Sequence, residues 1–439
     1  MAKMKMLFEK AKEHMVSGAA SGGRVHAVYG QTFYVDRADG ARIYDADGKE
    51  YIDYHTAAGA ALFGYNNPRL AAAVQKSMEK GNFLNYETEY HIELAKLLSE
   101  MIPCAEMMRL ANTGTEATMG AVRLARGYTG KEIIIRFEGH FHGMHELVWY
   151  NKNSQGEMDD IGEIVNIPDT RGIPKCFSDT VKNVAFNDIE ALERVVARYR
   201  GQIAAVILEP ISFNCGCYPA REGYLQQVRK LCDKEGIVLI FDEIITGFRI
   251  PGGSGQAYYG VTPDLATLAK GLGGGFPIAA VVGKKEVMQS YNPNGSVVMS
   301  GTYTGSLMTV LASIECLKMV REPGFFENIE KIGGKLFGGF EDLMKKHGIP
   351  GHVRGIGARF GIYFGVVDPE YDYDWRKVKA TYDLAFNKKF LKECLENGLY
   401  FHDYGNSPSP AHFGFTTAHT EKDIDVSLEK LDKIFKKIK

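Results

Sequence analysis

The sequence of 439 residues lacks the marks of several large protein classes. No stretch reaches the roughly 18 consecutive apolar residues that cross a bilayer, so no membrane passage is expected. Residues 1–15 mix Lys and Glu with apolar side chains, and without an uninterrupted apolar segment they do not read as a secretion signal. Cysteine is scarce: seven, an odd number and mostly scattered, argue against a disulfide framework and for a reducing compartment, by default the cytoplasm. The one close pair, Cys215 and Cys217, lacks the spacing and the second pair of a zinc knuckle, so no metal is expected. The formal net charge is only −2 and no Lys/Arg run stands out, which removes the electrostatic footprint of a nucleic-acid binder. Internal repeats and low-complexity tracts are also missing.

What is present is the balance of a folded protein, 45% hydrophobic and 24% charged, in a chain long enough for one large domain and a smaller one. Between about residues 32 and 55, short apolar runs are divided by Asp39-Gly40 and Asp47-Gly48, turn signals that predict a small antiparallel meander. From about 67 to 320, helical patterns alternate with short apolar runs such as 133–135, 204–208 and 237–241. Runs of this kind predict strands covered on both faces of a mostly parallel sheet. Beyond about 325, helix-like and strand-like segments mix, ending in a Lys-rich amphipathic helix near 423–439. The expected class is therefore α/β, with an N-terminal segment 1–66 belonging to the small domain, a large domain 67–325 and a small α+β domain 326–439. The polar, aperiodic stretch 151–175 reads as a lid or as a surface excursion.

Three segments carry candidate chemistry. Asn112-Thr113-Gly114-Thr115-Glu116 precedes a helical pattern, and Thr113 with Glu116 has capping-box spacing, so the segment opens a helix. Its free amides and positive dipole end suit phosphate, with Gly114 allowing close approach and the Thr113 and Thr115 hydroxyls donating; an ordinary helix cap fits the same residues. The apolar run 237–241 ends in Asp242-Glu243, and an acid at the carboxyl end of a parallel strand meets the ligand crevice. A metal ligand or a helix cap remains open for it. Lys270 follows another apolar segment and enters four glycines within five positions, 271 and 273–275. An accessible, locally desolvated Lys acts as an amine nucleophile, although a surface Lys beside a flexible turn has the same pattern. Taken together, the anion cradle, the acid and the Lys are what pyridoxal 5′-phosphate (PLP) requires for its phosphate, its pyridine nitrogen and its aldehyde.

With these residues in place, the sequence resembles the class III aminotransferases of PLP fold type I, most of all their glutamate-1-semialdehyde aminomutase-like branch. The resemblance covers nearly the whole chain and is carried by residues 42–53, 112–130, 137–143, 241–249, 263–277 and 301–305 and by Glu209-Pro210. It implies a catalytic Lys270 joined to PLP as a Schiff base and shuttling a proton, and an Asp242 that keeps the pyridine nitrogen protonated. It further implies Phe141 and Ile245 on the two faces of the ring, with His142 also beside the cofactor. Thr113, Gly114 and Thr115 would hold the phosphate, joined by Thr302 from the second subunit of a homodimer, and Glu209 and Asn214 would border the phenolic side. Arg24 falls where aminomutase-like members keep an Arg for the substrate carboxylate. Two departures bear on substrate. Ala57-Ala58-Gly59 stands where the aminomutases carry a Trp, and His412 stands where they carry a Glu, exchanging a fixed negative charge for a neutral or positive ring and making His412 a competing substrate anchor. The expected reaction is transfer of an amino group between a carboxylate-bearing amino compound, an α- or β-amino acid, and a keto acid. The aminomutase reaction, racemisation or epimerisation of an amino acid or its lactam, and a non-catalytic PLP-fold module are the alternatives.

Overall fold

The computed structural model describes residues 2–402, 404–405 and 409–439. Its centre is a seven-stranded sheet in the order Met107–Ala111, Ala279–Gly283, Leu265–Leu268, Val238–Asp242, Ile203–Leu208, Ile133–Phe137 and Val181–Val184. All neighbours pair in parallel except Ala279–Gly283, which runs against both strands beside it. Every residue of Ile203–Leu208 and of Val238–Asp242 is buried, which is why these strands read as continuous apolar runs rather than alternating ones. Full burial of a side chain such as Leu239 or Ile240 is worth roughly 1.5–3 kcal/mol, so the central strands anchor the fold.

Helix Gly114–Thr129 crosses this sheet on a stripe of small residues, with Ala117, Ala121, Leu124 and Ala125 buried at helical spacing. It stops at Gly130, whose left-handed φ of 68° ends the last turn as a C-terminal glycine does. The two ends of the chain meet in a second sheet. The meander Val35–Asp39, Arg42–Asp45 and Glu50–Asp53 pairs antiparallel, and Leu399–Tyr400 adds in parallel to Glu50–Asp53. A three-stranded sheet of Gly351–Ile356, Arg359–Phe364 and Phe413–Gly414 lies nearby in sequence, and the C-terminal helix Glu421–Ile438 packs on helix Phe325–His347.

The stretch 151–175 differs from a free lid. The Asp169 carboxylate accepts from the amides of Lys152, Asn153 and Ser154 at 2.6, 3.1 and 3.3 Å, and Asn151 bonds to Val165 O and the Ile167 amide, both at 2.9 Å. These bonds run between polar groups of the stretch itself. Among the described residues no helix is long and apolar enough to cross a membrane.

Candidate active site

Five strands deliver their carboxyl ends to one edge of the large sheet, and each is followed by a residue of the site. Asn112 and Thr113 follow Met107–Ala111, Phe141 follows Ile133–Phe137, Glu209 follows Ile203–Leu208, Asp242 closes Val238–Asp242, and Lys270 follows Leu265–Leu268. There they line one cavity of about 400 Å³, to which Gly114, Thr115, Asn214 and Ile245 also contribute. The three segments flagged separately in sequence thus converge through sheet topology.

Thr113 is the N-cap of helix Gly114–Thr129, its Oγ1 accepting from the Glu116 amide at 3.2 Å. The expected reciprocal bond is displaced by one residue: Glu116 Oε2 accepts from the Asn112 amide at 2.7 Å rather than from Thr113. The amides of Gly114 and Thr115 therefore remain available at the helix end. Thr115 Oγ1 accepts from the Met144 amide at 3.3 Å, which leaves its own proton to donate. At Gly114 a Cβ would lie 2.6 Å from Ile244 Cδ1, so a side chain there would have to displace the tip of Ile244.

Asp242 is buried, with Oδ1 accepting from the Ile244 amide at 3.1 Å and from Thr267 Oγ1 at 3.2 Å, and Oδ2 held by His142 Nδ1 at 2.8 Å. Burial pushes its pKa up to about 7, opposed by the hydrogen bonds from Ile244 and Thr267 and by the charge of Lys270. His142 does not line the cavity but stands behind Asp242. Burial, reinforced by Arg136, holds its pKa well below the usual value, so its ring is neutral. Glu209 accepts from the Phe141 amide at 2.9 Å and from Asn214 Nδ2 at 3.1 Å, and burial together with the Asp242 charge raises its pKa.

Lys270 has a φ of 46°, a left-handed conformation that costs a non-glycine residue energy and persists where the surroundings enforce it. Its Nζ makes no hydrogen bond to any described residue. Burial, with Arg359 and Arg249 adding to it, pushes its pKa down to about 7, against the pull of Glu209 and Asp242. This amine, about half of it neutral at pH 7, opens both onto this cavity and onto a second one of about 430 Å³ lined by Phe141, Lys152, Tyr404 and His412.

Two expected residues lie apart from the cavities. Thr302 sits on an exposed turn, and Arg24 is exposed at the end of the short turn Gly22–Arg24, where the Gly23 carbonyl lies 2.9 Å from His402 Nε2. His412 lines the second cavity as a neutral ring rather than a cation, because burial and the Arg359 charge hold its pKa well below the usual value. Arg359, Arg249, Lys152 and Tyr404 went unmarked in the sequence. For Arg359 the available signal was a guanidinium opening the otherwise apolar strand Arg359–Phe364.

The family model of class III aminotransferases (Aminotransferase class-III) matches residues 25–435, and the chain belongs to that family. The glutamate-1-semialdehyde 2,1-aminomutase of Methanococcus maripaludis is 39% identical over 442 aligned residues, covering 100% of this chain and 99% of the relative. Among solved structures, an omega-transaminase from Sphaerobacter thermophilus superposes with a TM-score of 0.91 at 30% identity, covering 99% of this chain and 97% of that one. A transaminase with PLP bound gives 0.87 at 25% identity, with 100% and 98% covered. The cofactor is PLP, and the donor set fits it: a free amine, a buried carboxylate in the wall and a helix end with open amides share one cavity. The chain is a PLP-dependent enzyme of α/β fold type I.

Proposed function

We infer that the enzyme transfers an amino group between an α- or β-amino acid and a keto acid. The observation that carries this reading is Lys270, an amine without a hydrogen-bond partner among the described residues, in the same cavity wall as the Asp242 carboxylate. Held in the cavity, PLP would supply an electron sink for negative charge left on the substrate carbon when its proton departs. The chain's residues do the rest. Thr113, Gly114 and Thr115 bind phosphate with hydroxyls and amides at the helix end, joined by Thr302 from a second subunit. Asp242, hydrogen-bonded from behind by His142, would keep a proton on the pyridine nitrogen. Phe141 and Ile245 enclose the ring, while Glu209 and Asn214 border its phenolic oxygen. Lys270 Nζ would attach the cofactor and, once displaced, would move the proton between the substrate carbon and C4′ of the cofactor.

Internal exchange is the second reading, favoured by the identity to the Methanococcus maripaludis aminomutase along the whole chain. Against it stand Ala57-Ala58-Gly59 and His412 at positions where the resemblance expects Trp and Glu. We place the enzyme in the cytoplasm as a homodimer with domains 67–325 and 326–439, the latter joined by residues 1–66. Seven free thiols support the compartment, and the exposed Thr302 with the neighbouring Tyr303, 67% exposed, supports a partner surface. A panel of amino acids incubated with and without a keto acid tests the reaction. Turnover that requires the keto acid is the expected result; turnover without it indicates mutase or racemase chemistry.

A further inference from the structure

Beside Lys270, the second cavity carries no carboxylate among its described lining residues, yet positive charge surrounds it. Lys152 stands in its wall, its Nζ 5.6 Å above the Phe141 ring and in no ion pair with a described residue. His412 stands in the same wall. Behind it lies Arg359, fully buried, whose Nη1 donates to Thr56 Oγ1 at 2.9 Å and whose Nη2 donates to His412 O at 3.0 Å and to His412 Nδ1. A guanidinium is always a donor, so this last contact requires a bare Nδ1 and puts the ring's one proton on Nε2. That Nε2 has no partner among the described residues. Arg249, also buried, donates to Gly59 O at 2.9 Å, and neither arginine forms an ion pair with a described residue. Asp53, a carboxylate whose charge acts on Arg359, is committed elsewhere, accepting from the amides of His55 and Thr56 and from Tyr65 Oη at 2.8, 3.0 and 2.7 Å.

The arginines also clamp the wall. Residues 56–58 all adopt left-handed φ, 53°, 51° and 55°, followed by Gly59 at 90°. Such a run is strained and persists where its surroundings over-determine it. A Cβ on Gly59 would come within 3.2 Å of Arg249 Nη1, so the absence of a side chain eases the approach of this guanidinium to the turn.

We propose that this chamber is the carboxylate site of the enzyme, with Lys152 and the Nε2–H of His412 binding the carboxylate shared by amino donor and keto acid, and with Arg359 as the positioning residue that fixes the His412 tautomer. The proposal rests on the reading of the substrates as carboxylates. It moves the anchor from the exposed Arg24 to a loop lysine and a C-terminal histidine that face Lys270 across one cavity. The half-buried Lys152, without an ion pair among the described residues and backed by the buried charge of Arg359, favours an incoming carboxylate, and the neutral His412 directs it as a donor rather than as a second charge.

The test is equilibrium titration of the PLP-loaded enzyme with butyrate and glutarate and with their uncharged amides, butyramide and glutaramide. Wild type is expected to bind the acids and not the amides. Lys152→Met and His412→Phe should each weaken the acids about tenfold or more, while His412→Gln, which keeps an N–H donor, retains most of the binding. Arg24→Ala should leave acid binding within about twofold, as expected of an exposed side chain. In Arg359→Met the guanidinium no longer holds Nδ1 bare, while burial, the larger cause of the neutral ring, remains together with Lys270, His55 and Lys152. Acid binding should then weaken, and the nitrogen chemical shifts of His412 should report both neutral tautomers, whereas wild type shows the Nε2–H form alone. Should Arg359→Met not fold, the Lys152 and His412 variants decide alone. Acids that bind wild type but are insensitive to Lys152 and His412 overturn the chamber and leave the carboxylate reading standing. Failure of wild type to prefer acids over amides overturns the carboxylate reading itself.

Discussion

His142 Nδ1 lies 2.8 Å from Asp242 Oδ2, with both side chains buried. Because the His142 ring is neutral, its single proton sits on Nδ1 and is donated to the carboxylate, which leaves Nε2 bare and without a partner. His142→Phe removes one of three donors that favour the charged form of Asp242. A hydrogen bond to a charged group is worth about 1.5–3 kcal/mol, so turnover at saturating cofactor should fall roughly ten- to a hundredfold. His142→Asn, which retains a donor, should fall less. Equal losses in the two variants would mean that His142 serves packing alone.

Asp242→Asn should leave PLP bound but slow turnover by about a hundredfold or more, since a neutral amide cannot hold the pyridine nitrogen protonated. The absorbance of the bound cofactor reports binding, and steady-state kinetics report turnover. Wild-type turnover in this variant would remove Asp242 from the mechanism.

Thr115→Val deletes a hydroxyl whose proton is free to meet phosphate. PLP affinity should fall about tenfold, the value of one charge-assisted hydrogen bond. Thr113→Ala should cost the cofactor-free chain more stability than Thr115→Val does, because it also removes an N-cap worth about 1 kcal/mol. Calorimetric Kd and Tm values separate these effects, and an unchanged Kd in both variants would place the phosphate elsewhere.

Lys270 also links stability to pH in the cofactor-free chain. Its folded pKa, about 7, lies below the ordinary value of 10.5, so between these values the unfolded chain binds the extra proton. Stability therefore rises with pH across that window, and below pH 7 the fold carries the full cost of a buried charge. Lys270→Met lacks this cost, so its lead in Tm over wild type should shrink as pH rises from 7 toward 10. A lead that does not change with pH would show that the amine is not desolvated.

The cofactor half of the site was legible in the sequence because each part is a local signal: a cap with a Gly, an acid ending an apolar run, and a Lys entering glycines. The parallel sheet was legible for the same reason, since strands such as Val238–Asp242 are buried on both faces and apolar throughout. The substrate half was not. Arg359 reaches Thr56 and His412, 303 and 53 residues away, through the pairing of Arg359–Phe364 with Phe413–Gly414, and no spacing rule anticipates that contact. Nor could composition tell that Asp169 gathers residues 152–154 and so fixes the approach of Lys152 to Phe141. Even the histidine at 412 was readable only as a change of residue type; its neutral state follows from burial beside a guanidinium.

The central claim is that Lys270 carries the cofactor, and borohydride reduction of the PLP-loaded enzyme followed by peptide mass spectrometry tests it most directly. The account predicts a single pyridoxyl-labelled peptide with the label on Lys270, and loss of that label together with a fall in turnover of several orders of magnitude in Lys270→Ala. A label on another lysine, or a reduced enzyme with no label, would contradict it.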